Sequence, residues 1–368
     1  MKVASLALDD YSNYGNNLQK YALQHTLKKF VDFTELLWHN ANAFFSETAQ
    51  FSYMPKPFLK NCDPFSQQKY ILREAVRINK IKEFENRYIK VRFDIPYIEE
   101  IADEYDYFVV GSDQVWQPLW IESKYFLEFV PREKRIAYAA SIAAPFIPDQ
   151  LKEFFKRGIS GFDYISVREE NAVKIIKELT GQDALLVLDP TLLLTLEEWL
   201  DIAQKPSWLN EKYQRGYILT YYLRTEPHPI IKIIAQKLNL PVINLLDWDN
   251  YWHYIVGPEE FIYLFANAAL IFTNSFHGVA FSINFKKPFI NLEVDAEKNM
   301  STRIPGLLKM FNLEDRIAKP GKNYSIDYLF EIDFSTRDKI LLQERNKAFQ
   351  FLLNALSGAG KMGGGGRL

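Results

Sequence analysis

Five histidines occur in this 368-residue chain, and one of them, His277, stands where a proton donor or acceptor would be useful. It lies in Ile271-Phe-Thr273-Asn274-Ser275-Phe276-His277-Gly278, a hydrophobic strand that breaks into a polar turn and then opens a helix expected at Gly278–Phe285. Backbone N–H groups at such a helix start can hold an anion. Ser275 adds a hydroxyl donor there, and Gly278 lets a ligand approach the backbone closely. A helix cap or a satisfied core histidine is the competing explanation of His277. A second turn, Ser166-Val-Arg168-Glu169-Glu170, places a guanidinium at a helix start, where the helix dipole opposes it and a counter-anion is required. A bound phosphate or carboxylate would match the guanidinium fork, and an internal pair with Glu169 or Glu170 would serve equally. A third turn, Gly111-Ser112-Asp113-Gln114-Val-Trp116, closes a buried strand and directs Asp113 toward the crevice. There it could accept a hydroxyl proton, hydrogen-bond that hydroxyl, or simply form an Asx turn or cap. In Asn13-Tyr14-Gly15-Asn16-Asn17, one of Asn16 and Asn17 is expected to cap the following helix, leaving the other for ligand.

The elements that must position these turns alternate along the chain. Strands are expected at Lys2–Leu8, Phe33–Leu37, Asp106–Val110, Arg135–Ala140, Tyr164–Val167 and Ala184–Leu188, with helices between them. After a break near Pro190–Tyr213 the rhythm resumes, with strands at Gly216–Leu223, Val242–Leu245, Leu270–Thr273 and Phe289–Leu292. Strands separated by helices argue for an α/β protein with two Rossmann-like domains facing a cleft. The first is expected over 1–190 and the second, with a closing helix, over 191–357, followed by a flexible glycine-rich tail at 358–368. Trp38–Gln67 is irregular, rich in Phe and Pro. Ligands in such sheets bind at the carboxyl ends of strands, which is where the three turns lie.

Composition narrows the chemistry. Forty-four Lys+Arg against 46 Asp+Glu give a net charge of −2, with no long-range pull toward nucleic acid or an anionic membrane. Any anionic ligand must be held by local groups. One cysteine, Cys62, excludes an intramolecular disulfide, and no metal motif stands out; Asp9-Asp10 reads as a solvated loop. No run approaches the ~20 apolar residues of a membrane span, and the short N-terminal stretch ends at two acids, unlike a signal peptide. A cytoplasmic protein without cofactor is expected, with peripheral contact at the inner membrane face as the nearest membrane role. Aromatics at 15% leave a surplus for stacking on sugar rings.

Tyr14-Gly15-Asn16-Asn17-Leu-Gln19, Gly111-Ser-Asp-Gln-Val-Trp116, Tyr138-Ala-Ala-Ser141, Ser166-Val-Arg168-Glu169 and Thr273-Asn-Ser-Phe-His277-Gly278 together resemble the polysaccharide pyruvyl transferase family in order and spacing, over Lys2 to about Arg316. The resemblance implies a fold of the glycosyltransferase B type, phosphoenolpyruvate as donor, and a ketal on a sugar as product, in cell-surface polysaccharide biosynthesis. It assigns His277 as general acid and Arg168 to the donor. The acceptor side falls to Asp113 as base and to Asn16, Asn17, Gln114 and Trp116. The acceptor sugar is free or lipid-linked, and the oligomeric state is open. Some relatives carry Arg-x-His-Gly where this chain has Ser275-Phe276-His277-Gly278, so Arg303 is expected to supply the missing cation beside Ser275 and Gly278. Two rival readings are a nucleotide-sugar glycosyltransferase, with Glu293 gripping the ribose, and a non-catalytic polysaccharide- or partner-binding relative.

Overall fold

The computed structural model describes residues 1–8, 10–37, 63–93, 95, 97–223, 227–292, 303–318 and 324–358. Asp9, Cys62, most of the Trp38–Gln67 segment, Glu293 and residues 359–368 of the tail lie outside the described residues.

Among the described residues, twelve strands form two sheets. β1 (Lys2–Leu6), β2 (Phe33–Leu37), β3 (Val91–Arg92), β4 (Tyr107–Val110), β5 (Arg135–Ala140), β6 (Tyr164–Val167) and β7 (Leu185–Leu186) assemble in the order β3-β2-β1-β4-β5-β6-β7. β8 (Ile218–Tyr221), β9 (Val242–Leu245), β10 (Leu270–Thr273), β11 (Phe289–Leu292) and β12 (Ile317–Ala318) assemble as β12-β11-β10-β8-β9. All recorded pairings are parallel. Runs such as Tyr-Phe-Val-Val and Leu-Ile-Phe-Thr bury nearly every residue, as strands covered on both faces must. Each sheet is parallel and flanked by helices, a Rossmann-like α/β arrangement. Two short edge strands, β3 and β12, carry too few residues to show a periodic pattern and escape sequence reading.

The covering helices include α1 (Tyr14–Leu27), α2 (Pro64–Tyr88), α3 (Lys152–Ser160), α4 (Glu170–Thr180), α5 (Ile230–Leu238), α6 (Pro258–Asn267), α7 (Phe276–Asn284), α8 (Arg303–Met310) and α9 (Arg337–Ser357). The two sheets are joined through α1, whose first aromatic residue packs into the second domain. Tyr14 stacks on Phe261 at 4.9 Å and donates to the Val256 carbonyl at 2.6 Å. α2 reaches the same surface, where the Tyr254 hydroxyl donates to Glu74 at 3.0 Å and Lys80 pairs with Glu260 at 2.8 Å. α9 begins on the second domain, with Arg337 donating to the Ile283 carbonyl, and ends beside Phe30 and Tyr138 of the first. It therefore packs against both domains.

Candidate functional site

The three turns of chemical interest converge at the carboxyl ends of the strands, where the two domains touch. Arg168, just after β6, is the hub. Its Nη1 donates to Asp189 Oδ2 at 2.5 Å and its Nη2 to Asp113 Oδ1 at 2.9 Å, with the guanidinium 1% exposed. Its counter-anions within the protein are two aspartates from other turns, with Glu169 adding a longer-range attraction. Glu169 accepts from Ser141 Oγ at 2.8 Å and from the Ala143 N–H at 2.7 Å, which ties the β5 and β6 turns together. Glu170 pairs with Lys309 at 3.3 Å. With both arms of the fork engaged, the expected donor grip reduces to Nε, which is buried without a hydrogen-bond partner.

Asp113 accepts a second hydrogen bond, from Asn16 Nδ2 at 3.1 Å. Burial pushes its carboxyl up, but Arg168, His277, Arg303 and Asn16 outweigh burial and hold it below the usual carboxylate range. In this arrangement Asp113 accepts hydrogen bonds from both Arg168 and Asn16. Asp189 reads in the sequence only as the end of a strand, yet it is the most heavily engaged carboxylate of the site. Its Oδ1 accepts from the Thr191 N–H and hydroxyl at 3.0 and 2.7 Å, Ser112 Oγ lies 3.1 Å from Oδ2, and His277 Nε2 lies 3.8 Å from Oδ2. Burial opposes its ionisation, and Arg168 with His277 overcomes this, leaving the carboxyl far below its ordinary range. A strand-end Asp-Pro gives no periodic or motif signal, so only the folded contacts expose it.

His277 arrives from the other domain. It lies within α7, which begins at Phe276 rather than at Gly278 because Ser275 is the N-cap, accepting from the Gly278 N–H at 3.4 Å. Ser275 and Gly278, expected on the donor, are thus engaged with each other. Gly278 is required for a different close approach: a Cβ there would stand 2.3 Å from Thr273 Oγ1. Gly15 does for His277 what Gly278 does for Thr273, since a Cβ at Gly15 would meet His277 Nδ1 at 1.9 Å. The first turn of α1 therefore lies flat against the imidazole. His277 is buried, and its Nε2 has no hydrogen-bond partner.

Arg303, at the start of α8, stands over the Phe276 ring at 6.0 Å, the ring that also faces Arg168 at 4.6 Å. With its amide turned so that the oxygen faces the guanidinium, Gln114 accepts from Arg303 Nη1 and Nη2 at 2.7 and 3.0 Å. Arg303 and Gln114 thus join the two domains beside Asp113.

One acceptor assignment changes, and so does the helix cap. Trp116 is wholly buried among Phe126 and Phe162 and donates to the Tyr125 carbonyl at 3.0 Å, so it is core and presents nothing to a sugar. The exposed indole beside Gln114 belongs to Trp120, which donates to the Gln114 carbonyl at 3.1 Å. The helix cap is Asn13, whose side chain accepts from the Asn16 N–H, and not Asn16 or Asn17. Asn17 anchors the preceding loop through the Asp10 and Asn13 carbonyls at 2.7 and 2.9 Å. Asn16 Oδ1, Asn17 Oδ1 and Gln19 Nε2 are buried without partners, and Gln19 also accepts from the Ser112 N–H at 3.0 Å. Gln19 stands in the first motif without an expected role; one helical turn on from Asn16, it reaches the Ser112 turn. Among the described residues no three His, Cys, Asp or Glu side chains converge as metal ligands, and no helix is long and apolar enough to cross a membrane.

A family model described as "Polysaccharide pyruvyl transferase" matches residues 13–296. No curated protein matches the chain. Among solved structures, the chain is similar to the UDP-GlcNAc 2-epimerase from Neisseria meningitidis, at 11% identity and a TM-score of 0.41 over 98% of this chain and 99% of that one. It is similar to the Anabaena protein HepE, solved with UDP and glucose, at 11% identity and 0.46 over 98% and 95%. The wall teichoic acid polymerase TagF gives 16% identity and 0.43 over 98% and 87%. Likeness of this degree carries no inference about substrate, reaction or site.

Proposed function

Since the chain belongs to the polysaccharide pyruvyl transferase family, we propose that it moves a pyruvyl group from phosphoenolpyruvate onto two hydroxyls of a sugar, as a cyclic ketal, during assembly of a cell-surface polysaccharide. The observation that carries this reading is the meeting of His277, from one domain, with Asp189, from the other, its Nε2 buried and unpartnered at 3.8 Å. A proton passes from His277 to the methylene carbon of the donor, which becomes a methyl group as positive charge develops at the adjacent carbon. A sugar oxygen bonds to that carbon. A second hydroxyl closes the ketal as the carbon–oxygen bond to phosphate breaks. Of the two hydroxyl protons released, one restores His277 and the other leaves with phosphate. The imidazole thus acts as acid and then as base, which suits a site whose aspartates are held ionised. Burial of all these groups at the domain junction supports exclusion of water, which would otherwise trap the cationic carbon.

The donor is anionic at both ends. Arg168 is already balanced by Asp113 and Asp189, so the remaining cationic contact falls to Arg303, supplemented by Arg168 Nε. Asn16, Asn17 and Gln114 supply polar groups for the acceptor, which we place among free or lipid-linked sugars on the cytoplasmic side. The test is phosphate release from phosphoenolpyruvate across a panel of lipid-linked sugars, with mass detection of the ketal. Phosphate release with ketal formation supports the reading; release of a nucleoside diphosphate from a nucleotide sugar instead would overturn it. One observation favours a second reading: a guanidinium fork filled by the protein's own carboxylates suits a relative that binds polysaccharide without chemistry. Calorimetric titration with phosphoenolpyruvate separates the two, since only the transferase binds it.

A further inference from the structure

The loop that leaves the carboxyl end of β4 carries Asp113 and Gln114 and runs on through Pro118 to Leu119 and Trp120. It is firmly mounted. The Asp113 carbonyl accepts from the Ser141 N–H at 3.0 Å, and the Ser141 carbonyl accepts from the Trp116 N–H at 3.1 Å. The Gln114 carbonyl is the pivot of the turn, accepting at 3.1 Å from both the Gln117 N–H and Trp120 Nε1. The Trp120 indole is thus fixed on the backbone of a residue whose side chain meets Arg303 across the domain junction. Trp120 is nevertheless 40% exposed, and Leu119 beside it is 83% exposed.

We propose that Trp120, flanked by Leu119, is the platform on which a pyranose ring of the acceptor lies, its C–H face on the indole and its hydroxyl rim toward Gln114. The inference rests on the pyruvyl-transfer reading. A pyranose carries carbon-bound hydrogens on its faces and hydroxyls around its rim, so it fits a flat apolar surface bordered by hydrogen-bonding groups. Covering the indole gains apolar burial. It strands no donor, because Nε1 is already satisfied by the Gln114 carbonyl. The ring is rigid and held at one end, so little conformational entropy is lost on binding. A lone surface tryptophan would need no explanation, but this one is bonded to the turn that carries Asp113 and lies at the carboxyl end of a strand, where ligands of such sheets bind. An anionic membrane surface would call for uncompensated cations beside the aromatic, whereas the charges that follow on this loop, Glu122 and Lys124, pair with each other at 3.3 Å.

The test is saturation-transfer NMR with the full chain and the methyl β-pyranosides of glucose, galactose, mannose and N-acetylglucosamine, each with and without phosphoenolpyruvate. The wild type is expected to saturate the ring C–H protons of at least one glycoside. Trp120→Ala should cut that transfer about tenfold, and Trp120→Phe, which keeps an aromatic face, should retain at least about half of it. Calorimetric binding of phosphoenolpyruvate should stay within about twofold of wild type in both variants, a result that a general loss of the site would not give. Leu119→Asp places a charge on the same shelf at a solvent-exposed residue and should weaken the transfer at least about threefold, which decides the matter if Trp120→Ala fails to fold. Equal transfer in wild type and a folded Trp120→Ala overturns the platform, as does the absence of transfer from every glycoside to the wild type. If phosphoenolpyruvate still binds in those cases, only the platform falls; a wild type that does not bind phosphoenolpyruvate sinks the pyruvyl-transfer reading beneath it.

Discussion

Asp113, Arg168 and Asp189 are spaced across three turns, and they become one unit because a guanidinium can donate to two carboxylates at once. This separates two kinds of substitution. On the pyruvyl-transfer reading, replacing His277 by Ala removes the proposed proton donor, whose Nε2 makes no hydrogen bond, so turnover should fall by roughly 10²–10⁴ with little change in melting temperature. A loss of activity that tracks a large loss of stability would mark His277 as structural instead. Replacing Arg168 by Met strands two buried carboxylates, at a cost on the order of 3–5 kcal/mol, measurable by denaturant unfolding. An Arg168→Met protein as stable as wild type would show that the two aspartates do not depend on it. Arg168 and His277 are legible in the sequence as residues of strand-end turns, but the partner of Arg168 is not, because Glu169 and Glu170 are adjacent in sequence while Asp113 and Asp189 are adjacent only in space.

Helix–strand packing explains the two motif glycines at the next scale. α7 lies so close to β10 that Gly278 faces Thr273, whose hydroxyl donates to the Tyr221 carbonyl at 2.6 Å and so cannot rotate away freely. Gly278→Ala should therefore destabilise the fold by about 1–3 kcal/mol through overpacking, read as a shift in the denaturant midpoint at constant slope. Gly15 faces His277 across the domain junction, and Gly15→Ala should push the imidazole from Asp189 and lower turnover at least tenfold. Wild-type turnover in that variant would show that the histidine tolerates displacement. The elements themselves are largely legible. Arg135–Ala140, Tyr164–Val167, Ile230–Leu238, Val242–Leu245, Pro258–Asn267, Leu270–Thr273 and Phe289–Leu292 begin and end as their apolar runs and caps suggest. The strand runs at Arg135–Ala140, Tyr164–Val167, Leu270–Thr273 and Phe289–Leu292 are continuous because those strands are covered on both faces. α7 starts two residues before the position its sequence suggests, because Gly278 reads as a helix opener while the true cap, Ser275, works through its side chain.

Across the whole molecule, titration of a remote histidine should shape stability. His253 is buried beside Trp208, and its Nδ1 accepts from the Asn244 N–H at 3.3 Å. Burial lowers its pKa from 6.5 to about 4. Between those values the unfolded chain binds a proton that the folded chain refuses, so stability is full above about pH 6.5 and falls as pH drops toward 4. The loss is on the order of 3 kcal/mol, because each tenfold drop in proton affinity is worth about 1.4 kcal/mol. Chemical denaturation at a series of pH values should show this slope in the wild type and a flatter one in His253→Gln. Parallel slopes would remove His253 from the account. The junction held by Tyr14, α2 and α9 brings the two sheets together in one packed structure, so His277 meets Asp189 only where both domains are folded.

What the sequence by itself determined is whatever depends on near neighbours: parallel α/β domains from apolar runs alternating with helical periods, turns at strand ends, and the family from motifs in order. Only the tertiary structure decided which charges meet. Asp189 follows a strand and precedes a proline, and nothing local distinguishes it. Trp116 and Trp120 stand four residues apart, yet one is core and the other faces solvent beside Gln114. Burial and ion pairing are set by contacts up to hundreds of residues apart along the chain, and no local spacing encodes them.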